Sequence, residues 1–199
     1  MKPVWLTVDT DDIRHLPIEQ GHPTRSKGVS HSGCSEQLLT AMENFSSWVD
    51  NNHVTLTIFV IADQLEDDLF RNWLKGLLLK HPQITVGCHG LTHRSWSAWP
   101  EDSDSFLAAI VEADIRLHDF AGDQWRPWFR APAGYIAPWM APAIAKAGFE
   151  LDSSVNRSWL TRKKSGPWKD WNAVIKALKD AGLDSKPWLT KWGLPTCGP

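Results

Sequence analysis

Four short segments concentrate carboxylates, imidazoles and a guanidinium. They are Asp9-Thr10-Asp11-Asp12, His89-Gly90-Leu91-Thr92-His93, Arg130-Ala131-Pro132-Ala133-Gly134-Tyr135 and Asp152-Ser153-Ser154. Two neutral imidazoles and one carboxylate make a good ligand set for a divalent cation and leave coordination positions for water and substrate. A cation so held acidifies its water and polarises a carbonyl. A second carboxylate beside it can take the proton of that water. A nearby guanidinium keeps that carboxylate ionised and oriented. The combination suits hydrolysis of an amide or ester.

These segments act together only if folding gathers them. Each follows a short apolar run read as a buried strand, at residues 4–8, 84–88, 125–129 and 149–151. Residues 54–61 are β-branched and form a further strand. Between the strands lie helical faces. Leu38, Met42, Phe45 and Val49 recur over residues 35–50, with Ser35 as N-cap. Leu69, Trp73 and Leu77 mark a second helix, and Phe106, Ile110, Ala113 and Leu117 a third over residues 104–120. Residues 137–147 form a short helix, with Pro138 near its start and Gly148 past its end. Trp168, Trp171, Ile175 and Leu178 make a last helical face ended by Gly182, and residues 188–194 are read as a sixth strand. Residues 13–34 have no period and are read as a loop. Strands alternating with helices predict a parallel α/β sheet, either a barrel or a doubly wound sheet. In both architectures sites form at the carboxyl ends of the strands, which is where the four segments fall.

Composition narrows the function classes. The 199 residues carry 21 Lys+Arg against 23 Asp+Glu, a formal charge of −2, so no basic stripe suits nucleic acid. The longest apolar stretch, residues 54–62, is too short to span a bilayer as a helix. Met1-Lys2-Pro3 leads directly into the first strand with no signal-peptide pattern, so the expected location is cytoplasmic by default. Three cysteines, Cys34, Cys88 and Cys197, give no disulfide framework. Tryptophan is abundant, at 13 residues against a single tyrosine. Trp5, Trp48 and Trp73 are assigned to core faces. Trp96, Trp99, Trp128, Trp139 and Trp159 lie near the predicted rim, where a flat indole face can stack on a sugar.

In this order and spacing the segments resemble the polysaccharide deacetylases, the NodB-homology proteins of carbohydrate esterase family 4. The resemblance runs from Val4 to about Asp152. It implies a distorted (β/α)7 barrel over residues 1–160, with residues 161–199 as a helical or extended segment completing or flanking it. It implies Asp9 as general base and Asp11, His89 and His93 as ligands of Zn²⁺, Co²⁺, Ni²⁺ or Mn²⁺, with Asp12 as the rival of Asp11. Arg130 would orient the base, the backbone N–H of Ala133 would help form an oxyanion hole, and Asp152 would pair with Arg130. Tyr135, Trp96 and Trp139 are the substrate-binding candidates. The family's last strand carries a Leu-x-His acid, whereas no histidine follows His118 here. That strand is either absent or lies beyond Pro199. His31, in the first loop, is a substitute acid; His15 and His22 are read as plain loop residues.

The expected activity is removal of N-acetyl groups from a peptidoglycan- or chitin-type sugar polymer. Two other readings stay open: hydrolysis of a non-sugar linear amide, and carbohydrate binding on a catalytically degenerate scaffold. A non-haem iron oxygenase would share the ligand set but not the Arg-x-Pro-x-Gly segment.

Overall fold

The structure, a computed structural model, describes residues 4–15, 33–155 and 170–186. Six strands make one sheet: β1 (Thr7–Asp9), β2 (Leu56–Val60), β3 (Ile84–Cys88), β4 (Trp125–Phe129), β5 (Leu151–Asp152) and β6 (Asp184–Ser185). Five helices connect or precede them: α1 (Glu36–Asn52), α2 (Asp68–Lys80), α3 (Ser103–Ala121), α4 (Met140–Lys146) and α5 (Trp171–Asp180). Every pair of neighbouring strands is parallel, and the spatial order is the sequence order. Crossovers of one hand keep helices on one side of such a sheet, and strand twist curls it away from them. The result is a half-barrel, not a doubly wound sheet. Among the described residues β1 and β6 are its open edges, so a seven-stranded barrel is not formed by them.

Helix starts are written in the chain. Ser35 Oγ accepts from Leu38 N–H at 3.0 Å and caps α1, as the sequence predicts. Asp67, Asp102 and Asp170 cap α2, α3 and α5 in the same way. Phe106, Ile110, Ala113 and Leu117 of α3 are buried as expected. In α2 the buried residues are Phe70, Leu74, Leu77 and Leu78, while Leu69 is 59% exposed. Within the first turn it is Phe70 that joins the core stripe, and Leu69 points off it.

Several element positions differ from expectation. β1 starts at Thr7, with Val4 89% exposed, so Asp9 ends the strand instead of following it. α4 begins at Met140, after Pro138. β5 includes Asp152. The sixth strand is Asp184–Ser185, pinned by pairing to β5 with no apolar run of its own. The predicted strand at 188–194 and Trp168 lie outside the described residues.

The two faces of the sheet have different jobs. Leu56, Ile58, Val60, Val86 and Phe129 pack in the cluster with Phe70, Phe106, Ile110 and Leu117 beneath the helices. Register places Thr7, Thr57 and Thr85 side by side on the other face, and Asp9, Phe59 and Gly87 one step on. There Trp5 Nε1 donates to Thr57 Oγ1 at 3.0 Å, and the Thr57 and Thr85 hydroxyls lie 2.9 Å apart. Trp5 also meets Phe59 and Trp128 edge-on. It nonetheless keeps 38% exposure, and Trp48, stacked on Phe45, keeps 41%. Neither is the core residue the sequence suggests: Trp5 precedes the strand proper, and Trp48 sits on the flank of α1.

Gly87 is required by the Phe59 ring. A Cβ there would lie 2.8 Å from Phe59 Cε1 and 3.1 Å from the Trp128 carbonyl oxygen. Gly87→Ala is therefore expected to lower stability by about 1–3 kcal/mol through overpacking. Gly76, exposed within α2, has nothing within 4 Å of an added Cβ, and Gly76→Ala should raise stability by up to about 1 kcal/mol. Urea unfolding of the two variants checks both signs.

Candidate metal centre

The carboxyl ends of β1 and β3 bring one acid and two imidazoles together. Ligand atoms of Asp11, His89 and His93 all lie within 4.8 Å of one another. Asp11 Oδ1 is 2.8 Å from His93 Nε2 and 3.5 Å from His89 Nε2. His89 and His93 are almost wholly buried. Between them Gly90 adopts φ +94°, where a Cβ would lie 2.8 Å from the Thr92 carbonyl oxygen. That glycine lets the chain turn so that both rings face Asp11.

The donor set fits a divalent cation. His89 Nδ1 lies 2.8 Å from the Arg130 carbonyl oxygen, which can only accept, so Nδ1 carries the proton. The lone pair then sits on Nε2, which is buried, aimed towards Asp11 and without a hydrogen-bond partner. A buried, unsatisfied ring nitrogen beside a carboxylate is the arrangement a metal ligand has, with the carbonyl fixing its tautomer. Burial alone would raise the Asp11 carboxyl, but His89 and His93 outweigh it and hold the group well below the usual range. For His89, burial opposes protonation, yet the charges of Asp9 and Asp11 raise its pKa.

Asp12 is not in the Asp11, His89 and His93 cluster. Its carboxylate accepts from Ile13 N–H at 2.6 Å, from Ser35 N–H at 2.9 Å and from the Ser35 hydroxyl. Ser35 thus ties α1 to the end of the first segment while capping its own helix. Thr10, between Asp9 and Asp11, is held by Gln64: Gln64 Nε2 donates to the Thr10 carbonyl at 2.7 Å, and Thr10 Oγ1 donates to Gln64 Oε1. Gln64 is fully buried. Sequence reasoning missed it; an amide side chain just past the apolar run 54–62 was the available signal.

Asp9 and Arg130 form a buried pair, with Arg130 Nη1 donating to Asp9 Oδ1 at 2.6 Å. Arg130 also donates from Nε to the Ser153 carbonyl at 3.1 Å, and from Nη2 to Thr7 Oγ1 and Ser153 Oγ, each at 3.0 Å. Its guanidinium carbon lies 4.1 Å from the Phe59 ring centroid. The Asp152–Arg130 pairing implied by the family resemblance is not a direct contact. Asp152 is in register with Phe129, one residue before Arg130, so its side chain alternates to the helix-facing side. There it accepts from Ser154 N–H at 3.0 Å and Ser154 Oγ–H at 2.6 Å. Ser153 takes the place beside Arg130. Burial pushes the Asp152 carboxyl up to about 6, against the Ser154 hydrogen bonds and the Arg130 charge.

Ala133 is exposed and sits at φ 52°, a left-handed backbone uncommon for a residue with a Cβ. Tyr135 is 3% exposed, which leaves little of it for a substrate to touch. Trp96 and Trp139 both meet Phe106 edge-on, at 5.5 and 5.7 Å between centroids, so part of each indole packs on the core. His15, read from sequence as a loop residue, is buried with its ring 5.4 Å from that of His93. Its Nδ1 accepts from Asp12 N–H at 2.8 Å, and burial followed by the neighbouring His93 pushes its pKa down to about 3. His22, His31 and Trp159 lie outside the described residues.

Two predictions follow from this geometry. Asp11→Ala should weaken Zn²⁺ or Co²⁺ binding at least about 100-fold, while Asp12→Asn retains one bound ion per chain, because a lost ligand costs more than a changed neighbour; metal titration by calorimetry separates the two. The Asp152 carboxyl is raised in the folded state from 3.8 to about 6. The native chain therefore binds more protons than the unfolded chain in that window, and this residue's contribution to stability falls as pH rises from about 4 to 6. Chemical denaturation across that range should show a shallower loss in Asp152→Asn.

No protein-family model and no curated protein sequence matches the chain. Solved structures do. A Mycobacterium smegmatis protein assigned to the polysaccharide deacetylases matches 93% of this chain and 74% of its own, at 16% identity and a TM-score of 0.57. A carbohydrate esterase family 4 pseudoenzyme from Bacillus anthracis matches 95% of this chain at 13% identity and a TM-score of 0.54; this chain spans 54% of its length. The Puue allantoinase matches 93% of this chain and 75% of its own at 12% identity and a TM-score of 0.52. This chain has the fold shared by the polysaccharide deacetylases of carbohydrate esterase family 4.

Proposed function

We propose that this chain is a metal-dependent hydrolase that removes the N-acetyl group from an N-acetylated sugar of the peptidoglycan or chitin type. The observation that supports it most is the gathering of Asp11, His89 and His93 around one point, with the Asp9–Arg130 pair formed between the ends of β1 and β4. A divalent ion held by those three residues, Zn²⁺ or one of Co²⁺, Ni²⁺ and Mn²⁺, supplies Lewis acidity to the amide carbonyl and to a water. Arg130 engages Asp9 Oδ1 and leaves Oδ2 to accept the proton of the attacking water. The Ala133 N–H is the donor assigned to the oxygen that becomes an alkoxide in the tetrahedral intermediate. Protonated Asp9 then returns its proton to the departing amine, so the C–N bond breaks to acetate and a free amino sugar.

Hydrolysis of a non-sugar amide is the second reading. It is favoured by the packing of Trp96 and Trp139 on Phe106, which reduces the aromatic surface left for a sugar, and by the allantoinase among the fold matches. Acetate release from N-acetylglucosamine oligomers, before and after chelation and with metal restored, tests the first reading. The expected result is release that chelation abolishes and metal restores. Oligomer binding with no release under any metal would sink it in favour of a sugar-binding role. Asp9→Asn is expected to lower turnover by at least about 100-fold, within the usual range for general-base loss, with metal stoichiometry unchanged.

A further inference from the structure

Arg94 follows the ligand candidate His93 directly, a Cα step of about 3.8 Å. Its guanidinium carbon lies 4.7 Å from the Trp96 ring centroid and 5.1 Å from that of Trp99. Trp96 is itself anchored edge-on against Phe106. The guanidinium thus lies over both indole rings. Stacking of this kind leaves the N–H groups along the guanidinium edge available.

Among the described residues those N–H groups have no hydrogen-bond acceptor. Arg71 pairs with Asp68, Arg116 with Glu66 and Glu112, and Arg130 with Asp9. Arg126 donates to the carbonyls of Asp123 and Trp125. Among the described residues Arg94 has no ion-pair or hydrogen-bond partner for its side chain, and its Nε is buried without an acceptor. A half-buried cation with an unsatisfied donor has lost part of its hydration with no hydrogen bond in exchange. An incoming oxyanion would supply the missing acceptors, and a guanidinium fork matches a carboxylate or phosphate in a bidentate way.

We propose that Arg94 is an anion-recognition residue at the edge of the metal centre, so that the substrate is an acidic amino sugar. Resting on the deacetylase reading, this places a carboxylate or phosphate on the sugar unit that carries the amide or on its neighbour. The Trp96–Trp99 pair then serves mainly to fix Arg94 in place. This accounts for two rim tryptophans without requiring them to stack on the substrate.

The test compares three ligands on the metal-loaded chain by calorimetry: a neutral N-acetylglucosamine oligomer, a carboxylate-bearing N-acetylmuramyl oligomer and a phosphorylated N-acetylglucosamine oligomer of equal length. The native chain is expected to bind one anionic ligand about tenfold or more tighter than the neutral one, the scale of a charge-assisted pair. The better anionic ligand identifies the group. In Arg94→Gln that ratio is expected to fall to about one, and in Arg94→Lys, which keeps the charge but not the fork, to an intermediate value. Thermal unfolding establishes that each variant is folded. A native ratio near one, or a ratio that survives in Arg94→Gln, overturns the assignment. An intact, Arg94-dependent ratio with no acetate released from any ligand rejects the proposed reaction and leaves the anion site standing.

Discussion

Arg130 is the residue on which the arrangement of the site depends. Its side chain reaches Asp9 and Thr7 on β1 and Ser153 just past β5, while its face lies on Phe59 of β2. Its main-chain carbonyl accepts from His89 Nδ1 at the end of β3. One residue therefore orients the candidate base and sets the tautomer of a candidate metal ligand. Breaking a buried ion pair of this kind costs about 3–5 kcal/mol, because the remaining charge is left without a partner. Here the printed contacts come from three places in the sheet: Asp9 and Thr7 on β1, Phe59 on β2 and Ser153 just past β5.

The curvature of the sheet makes that convergence geometrically available. Phe59 can lie flat beneath Arg130 only because Gly87, its neighbour in register, has no Cβ. The threonines at 57 and 85 satisfy one another and Trp5 on the same face. The interior of the half-barrel is thus a polar ladder capped by an aromatic platform, and the cation and its counter-charge sit on top of it. The opposite face carries the large aliphatic and aromatic cluster beneath the helices.

Asp9 and Asp11 occupy alternate positions, and the residues around them separate their roles. Thr10 is locked to Gln64, so the two acids on either side have little freedom to exchange places. Asp12 is hydrogen-bonded to Ser35 and Ile13, which joins the first segment to the start of α1. The same serine that caps a helix therefore also anchors the segment beside the candidate metal centre.

Residue type and local spacing determined the alternation of strands and helices, the helix cap at Ser35, the buried stripe of α3 and the identity of the acids and imidazoles. Each of these depends on interactions within a few residues, which periodicity records. The position of β6, the hydrogen-bond partners of Arg130 and Asp12 and the surroundings of Gln64, His15 and Arg94 depended on tertiary structure. Asp152 shows the reason most plainly: a one-residue step along β5 turns it to the helix side and brings Ser153 to Arg130. A linear sequence names the residues at a strand end, but strand register and sheet curvature decide which of them face one another.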